Sequence, residues 1–116
     1  MATVYLLQSP TPEKDLTSAA QFGKILPIFE SDDKPLNNPS KTFEHMYAVL
    51  DNFNEDEDYI CAAGGDPLLE FFAGVVMMNL HMEEVMHLVW NRERDSNNQR
   101  NGKGFYVPKK ITLKQF

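Results

Sequence analysis

Apolar residues recur along the chain in short runs and spaced sets that predict alternating strands and helices. Thr3-Val4-Tyr5-Leu6-Leu7 is β-branched and aromatic, ends at Ser9-Pro10, and reads as a first strand. Asp15 to Phe22 predicts a short helical turn, capped by Asp15 and stopped by Gly23. Residues 24–29 are apolar but interrupted by Pro27, which confines such a strand to an edge or a bulge. A turn-rich loop fills residues 31–39.

Ser40 or Thr42 then caps an amphipathic helix, in which Phe43, Met46, Tyr47, Leu50 and Phe53 keep the three-and-four spacing of one buried face. Asn54-Glu55-Asp56-Glu57-Asp58 closes it as a solvated acidic loop. Tyr59-Ile60-Cys61-Ala62-Ala63 is a short apolar run of the kind a strand covered on both faces requires. Gly64-Gly65 ends it. Asp66 as N-cap and Pro67 at the first helical position open a second helix through residue 78. Residues 84–90 return to strand composition. A polar turn region over 95–104 ends in the hairpin signal Asn101-Gly102-Lys103-Gly104, and residues 105–107 and 111–113 continue as strand, with Pro108 at an edge or bulge. This order predicts an α/β fold: a small sandwich with a mixed β-sheet, two main helices and a C-terminal β-hairpin, in a single domain over residues 1–116.

Composition narrows the class. A hydrophobic fraction of 42% over 116 residues is that of one ordinary globular core. Cys61 is the lone cysteine, which precludes an intramolecular disulfide and fits a small core residue in a reducing cytoplasm. The N-terminal residues lack the pattern of a secretory signal. The longest apolar stretch, Leu68–Leu80, is broken by Glu70 and Asn79 and falls short of the ~20 residues that cross a bilayer. A cytoplasmic protein without membrane contact is expected. Charge is unevenly spread. Residues 1–91 carry 4 Lys and Arg against 15 Asp and Glu, and residues 92–116 carry 7 against 2, so an acidic body bears a basic C-terminal piece.

The second helix is the most informative element. At about 100° per residue, Glu70, Gly74 and His81 form its one clearly non-apolar stripe, whereas a surface helix needs little more than a third of its circumference apolar. The excess is covered either by the first helix of the same chain or by a second copy or partner. Phe71, Val75, Met77, Met78 and Met82 are the candidate interface residues, the methionines supplying adaptable apolar surface.

Three further candidates carry less. Gly64, Gly65 and Asp66, at a strand-to-helix junction, are the candidate ligand-binding residues. The pattern is neither G-x-G-x-x-G nor a P-loop, and the Asp66 carboxylate caps the N–H groups a phosphate would use. Arg92, Arg94, Lys103, Lys109 and Lys110, near Trp90, Phe105 and Tyr106, could hold single-stranded nucleic acid by stacking and charge; the simpler reading packs the aromatics into the sheet. His81, Glu84 and His87 lack metal-ligand spacing, His45 reads as a surface residue, and no catalytic set can be argued from spacing, so no metal, cofactor or catalytic residue is assigned.

The pieces Asp58-Tyr59-Ile60, Gly65-Asp66-Pro67, Trp90-Asn91-Arg92-Glu93 and Tyr106-Val107-Pro108 follow an order that resembles small uncharacterised proteins of tailed bacteriophages of aquatic bacteria. There a Gly-Asp-Pro helix start precedes a Trp-Asp-Arg hairpin and a Tyr-x-Pro strand. Asn91 departs from that pattern, and residues 95–104 read as an insertion. The likeness, over residues 58–108, implies a phage product in the bacterial cytoplasm and no particular activity. The expectation is therefore a non-enzymatic accessory protein that self-associates as a homodimer and binds a host or phage protein. The alternatives are nucleic-acid binding by the hairpin and a small nucleotide-binding or hydrolytic domain built on the Gly64–Pro67 turn.

Overall fold

Val4 to Gln8 are buried one after another, because the strand they belong to, β1 (Thr3–Gln8), is covered on both faces. The computed structural model describes residues 1–11, 15–94 and 100–113, with the backbone alone for 92–94 and 100–103. Around β1 it arranges β2 (Lys24–Phe29), β3 (Tyr59–Cys61), β4 (Glu84–Arg94) and β5 (Arg100–Thr112) in the order β2-β1-β3-β4-β5. The first four run parallel, and β5 returns antiparallel to β4. The sheet is mixed and ends in a hairpin, as its sequence predicts.

The crossovers explain the layering. From β1 the chain passes through α1 (Thr17–Ala20) to β2, then back across β1 through α2 (Pro39–Leu50) to β3, and onward through α3 (Leu68–Asn79) to β4. Parallel crossovers of one hand that run in opposite directions put their helices on opposite faces. Tyr5, Leu7, Ile60 and Val85 accordingly pack under Met46, Leu50, Leu69, Phe72 and Val76, while Val4, Leu6, Cys61, Leu88 and Tyr106 gather with Ala19 of α1 on the other side. Phe43 of α2 stacks on Phe72 of α3 with ring centroids 4.4 Å apart, joining the two main helices. Both strands interrupted by proline are the sheet's edges, β2 with Pro27 and β5 with Pro108.

Several local expectations are corrected. The cap of α2 is Asn38, whose Oδ1 accepts from the Lys41 amide; Pro39 takes the first helical position, so Ser40 and Thr42 lie inside the helix. Residues 101–104 belong to β5, with Gly104 opposite Arg92, so the hairpin does not turn at Asn101-Gly102. Strands β4 and β5 are joined through residues 95–99, which lie outside the described residues. Asp58 is buried rather than solvated. Its two carboxylate oxygens accept from the Thr3 and Asn54 amides at 2.9 Å each, tying the start of β1 to the loop before β3. His45 is exposed, yet its Nε2 meets the Ile28 carbonyl at 2.8 Å and its ring packs on Phe29.

Candidate functional site

Helix α3 has two apolar faces. Leu69, Phe72, Ala73, Val76 and Met77 are buried against the sheet and α2. On the far side Leu68, Phe71, Val75 and Met78 repeat at three-four-three spacing, which is the seam one helix offers another. Phe71 is 65% exposed, Leu68 47% and Met78 46%, with Val75 half-buried between them. Of the candidate interface residues, Phe71, Val75 and Met78 therefore lie on this outer stripe. Met77 and Met82 do not, since both are enclosed by their own chain. Leu68, outside the candidate set, extends the stripe at the same three-residue spacing to Phe71 that the sequence carries.

The sheet face on the side of α2 and α3 carries further exposed apolar side chains. Alternation along β4 and β5 turns Val89, Phe105 and Ile111 to the face that Val85 shares with the helical layer, and each remains about two-fifths exposed. Glu70 of α3 reaches across to hydrogen-bond His87 Nε2 on β4, and His87 Nδ1 meets the Leu88 carbonyl at 2.9 Å. His87 is thereby a helix-to-strand tether. His81 terminates α3 and Glu84 opens β4. Among the described residues no three His, Cys, Asp or Glu side chains converge as metal ligands.

Gly64, Gly65 and Asp66 line a crevice of about 530 Å³ at the carboxyl ends of β1 and β3, where the sheet's order reverses direction. Its walls come from Gln8–Thr11, from the loop after β2, and from residues 63–66. Gly65 has φ +80°, and a Cβ there would strike the Gln8 side chain; a Cβ on Gly64 would lie 2.8 Å from Pro10 Cα. Glycine is what lets the two loops close on each other. Gln8, itself buried, donates through Nε2 to the carbonyls of Glu30 and Asp33 at 2.9 Å each, fastening the third wall. Asp66 Oδ1 accepts from the Leu68 amide at 2.9 Å and so caps α3, as expected. A second, wider depression of about 920 Å³ lies near the start of β4, where Glu55 Oε1 accepts from the Glu83 and Glu84 amides at 2.6 and 3.1 Å.

Two of the hairpin's aromatics are engaged with each other. Trp90 and Tyr106 meet edge to face at 4.9 Å, and Gly104 lies so close that a Cβ there would be 2.6 Å from the Trp90 ring. Tyr106 is buried, and Phe105 sits on the opposite face. Burial, and after it the neighbouring Cys61 thiol, push the Tyr106 hydroxyl up to about 12. Lys110 pairs with Glu84 at 3.4 Å and Lys109 is exposed, while the side chains of Arg92, Arg94 and Lys103 lie outside the described residues.

Among the described residues no helix is long and apolar enough to cross a membrane. A family model described as Phage Pam3 gp32-like protein matches residues 2–101. No curated protein and no solved structure matches the chain.

Proposed function

The chain belongs to the Phage Pam3 gp32-like protein family, and from that premise we propose that it is an accessory protein acting by protein–protein contact, with the outer stripe of α3 as the contact surface. The observation that carries this reading is the spacing and exposure of Leu68, Phe71, Val75 and Met78. A row of large apolar side chains at heptad-like spacing on the solvent side of a helix is the face that a second helix covers.

The first partner in this reading is another copy of the chain. Two α3 helices related by a two-fold axis present identical stripes, and such isologous contacts are the commonest way soluble proteins associate. A pair of 12-residue helices buries less than a standard interface of about 1,600 Å². The exposed Val89, Phe105 and Ile111 on the same side of the sheet extend the area available. The opposite charge of body and C-terminal piece favours association of copies further. The setting that this reading gives the protein is the cytoplasm of a bacterial host.

Sedimentation velocity over a wide concentration range tests it. The wild-type chain is expected to shift toward a dimer, and Phe71→Glu to stay monomeric with an unchanged far-UV spectrum. A wild-type chain that sediments as a monomer at every concentration overturns the self-association reading.

A further inference from the structure

We propose that the crevice at the carboxyl ends of β1 and β3 binds a small uncharged ligand of nucleoside type, bearing hydroxyl groups on one side and a flat ring on the other. Its location is the first ground. In an open α/β sheet the two loops that leave neighbouring strands toward opposite faces part at their carboxyl ends, and the gap between them receives ligands. Here β1 leads to α1 on one face and β3 leads to α3 on the other, so the gap falls between Gln8–Thr11 and residues 63–66. At about 530 Å³ the crevice has the size of a small-molecule site.

Its chemistry selects the ligand. Pro10, Pro35, Leu36 and Leu69 give it apolar walls suited to a ring. Asp33 Oδ2 accepts from the Glu30 amide and Asp66 Oδ1 from the Leu68 amide, which leaves the other oxygen of each carboxylate without a protein donor among the described residues. Those oxygens call for hydroxyl or amine donors on the ligand. The hydroxyls of Ser9, Thr11 and Ser31 line the same space and make no hydrogen bond to another described residue.

A phosphate is disfavoured on two counts. Among the described residues Lys34 is the one cation lining the crevice, against the carboxylates of Asp33 and Asp66. The helix end that would hold the phosphate is already closed by Asp66, a negative charge placed where the anion would sit. The walls are also preformed: Gln8 holds the β2–α2 loop through two carbonyls, and Gly64 and Gly65 fix the β3–α3 loop against Pro10 and Gln8. A site that needs no ordering binds a small ligand with less loss.

Amide-resolved NMR titration of the whole chain with adenosine and uridine, and with AMP as the charged control, tests the proposal. Saturable shifts confined to residues 8–11, 31–37 and 63–66 are expected for at least one nucleoside, with AMP several-fold weaker than adenosine. Asp66→Asn retains a capping oxygen and removes a charge. With its Oδ1 kept on the Leu68 amide, it sets an NH2 group where the oxygen left for a ligand hydroxyl stood, so it is expected to weaken nucleoside binding several-fold, to weaken AMP less, and so to narrow the gap between them. No saturable shift with either nucleoside, shifts that map elsewhere, or AMP binding more tightly than adenosine to the wild-type chain would each overturn it. None of these readouts depends on whether the chain dimerises.

Discussion

The amide of Met82 donates to the carbonyl of Met77 at 3.1 Å across the end of α3, while His81 between them holds φ at 63° and its own amide donates to Met78. This is the Schellman arrangement, in which a left-handed residue stops a helix and the residue after it folds back to pack on the last turn. It explains why Met77 and Met82 are interior rather than interface residues. Glycine ordinarily takes the left-handed position, and an L side chain there costs about 1–2 kcal/mol. His81→Gly is therefore expected to stabilise the fold by about 1 kcal/mol, offset in part by the greater backbone freedom of glycine in the unfolded chain. Urea denaturation midpoints check this; a variant less stable than wild type would show that the His81 side chain contributes contacts of its own.

Gly74 separates folding from association. It lies within α3, where glycine is less favourable than alanine by about 0.8–1.0 kcal/mol, and a Cβ there would meet nothing within 4 Å. The isolated chain should gain about that much from Gly74→Ala. Gly74 is also flanked on the helix surface by Phe71 and Met78, so a packed partner would approach the bare backbone there. The expected outcome is a raised urea midpoint together with a weaker self-association constant in sedimentation equilibrium. Stabilisation with unchanged association would place the contact elsewhere on the helix.

Asp58 holds two distant pieces of chain together. With both oxygens accepting from backbone amides in a buried place, truncation leaves the Thr3 and Asn54 N–H groups without acceptors. Asp58→Ala is expected to lose about 2–3 kcal/mol, a figure in line with hydrogen bonds to charged groups. Asp58→Asn keeps one accepting oxygen and should lose less. Equal losses from the two variants would assign the effect to charge rather than to acceptor number.

What was legible in the sequence was whatever depends on neighbours in the chain. Pro27 and Pro108 mark edge strands because a missing N–H is a local fact, and the run from Tyr59 to Ala63 signals a two-sided strand through composition alone. Asp66 could be read as a helix cap for the same reason. The role of Asp58 could not, since its partner Thr3 is 55 residues away. An acidic run looks solvated until the fold brings a bare strand amide to one of its members. Gln8 behaves likewise: nothing near it in sequence announces that Glu30 and Asp33 will present carbonyls to it. The outer stripe of α3 falls between these cases. Its spacing was visible, but which side the sheet and α2 would cover depends on the packing of Phe72 against Phe43.

Tyr106 offers a test that depends on pH. Its hydroxyl is buried beside the Cys61 thiol, and burial first, then Cys61, raises it from 10.0 to about 12. A tyrosine whose folded value lies above its unfolded one is held neutral by folding, so its contribution is fully present below 10. As pH rises from 10 toward 12 the unfolded chain ionises first, and that contribution is lost; above 12 both states are ionised and no further change follows. Tyr106→Phe is expected to flatten the fall in urea midpoint across this window. Tyr5, which is also raised by burial, is left to supply the remaining slope. At neutral pH the same variant removes a buried hydroxyl whose neighbour is the Cys61 thiol, a weak hydrogen-bonding group, and should change stability by less than about 1 kcal/mol. A clear loss of stability at neutral pH would mean that the hydroxyl makes a real bond to the Cys61 thiol, and Cys61→Ala should then lose a matching amount beyond its own packing term.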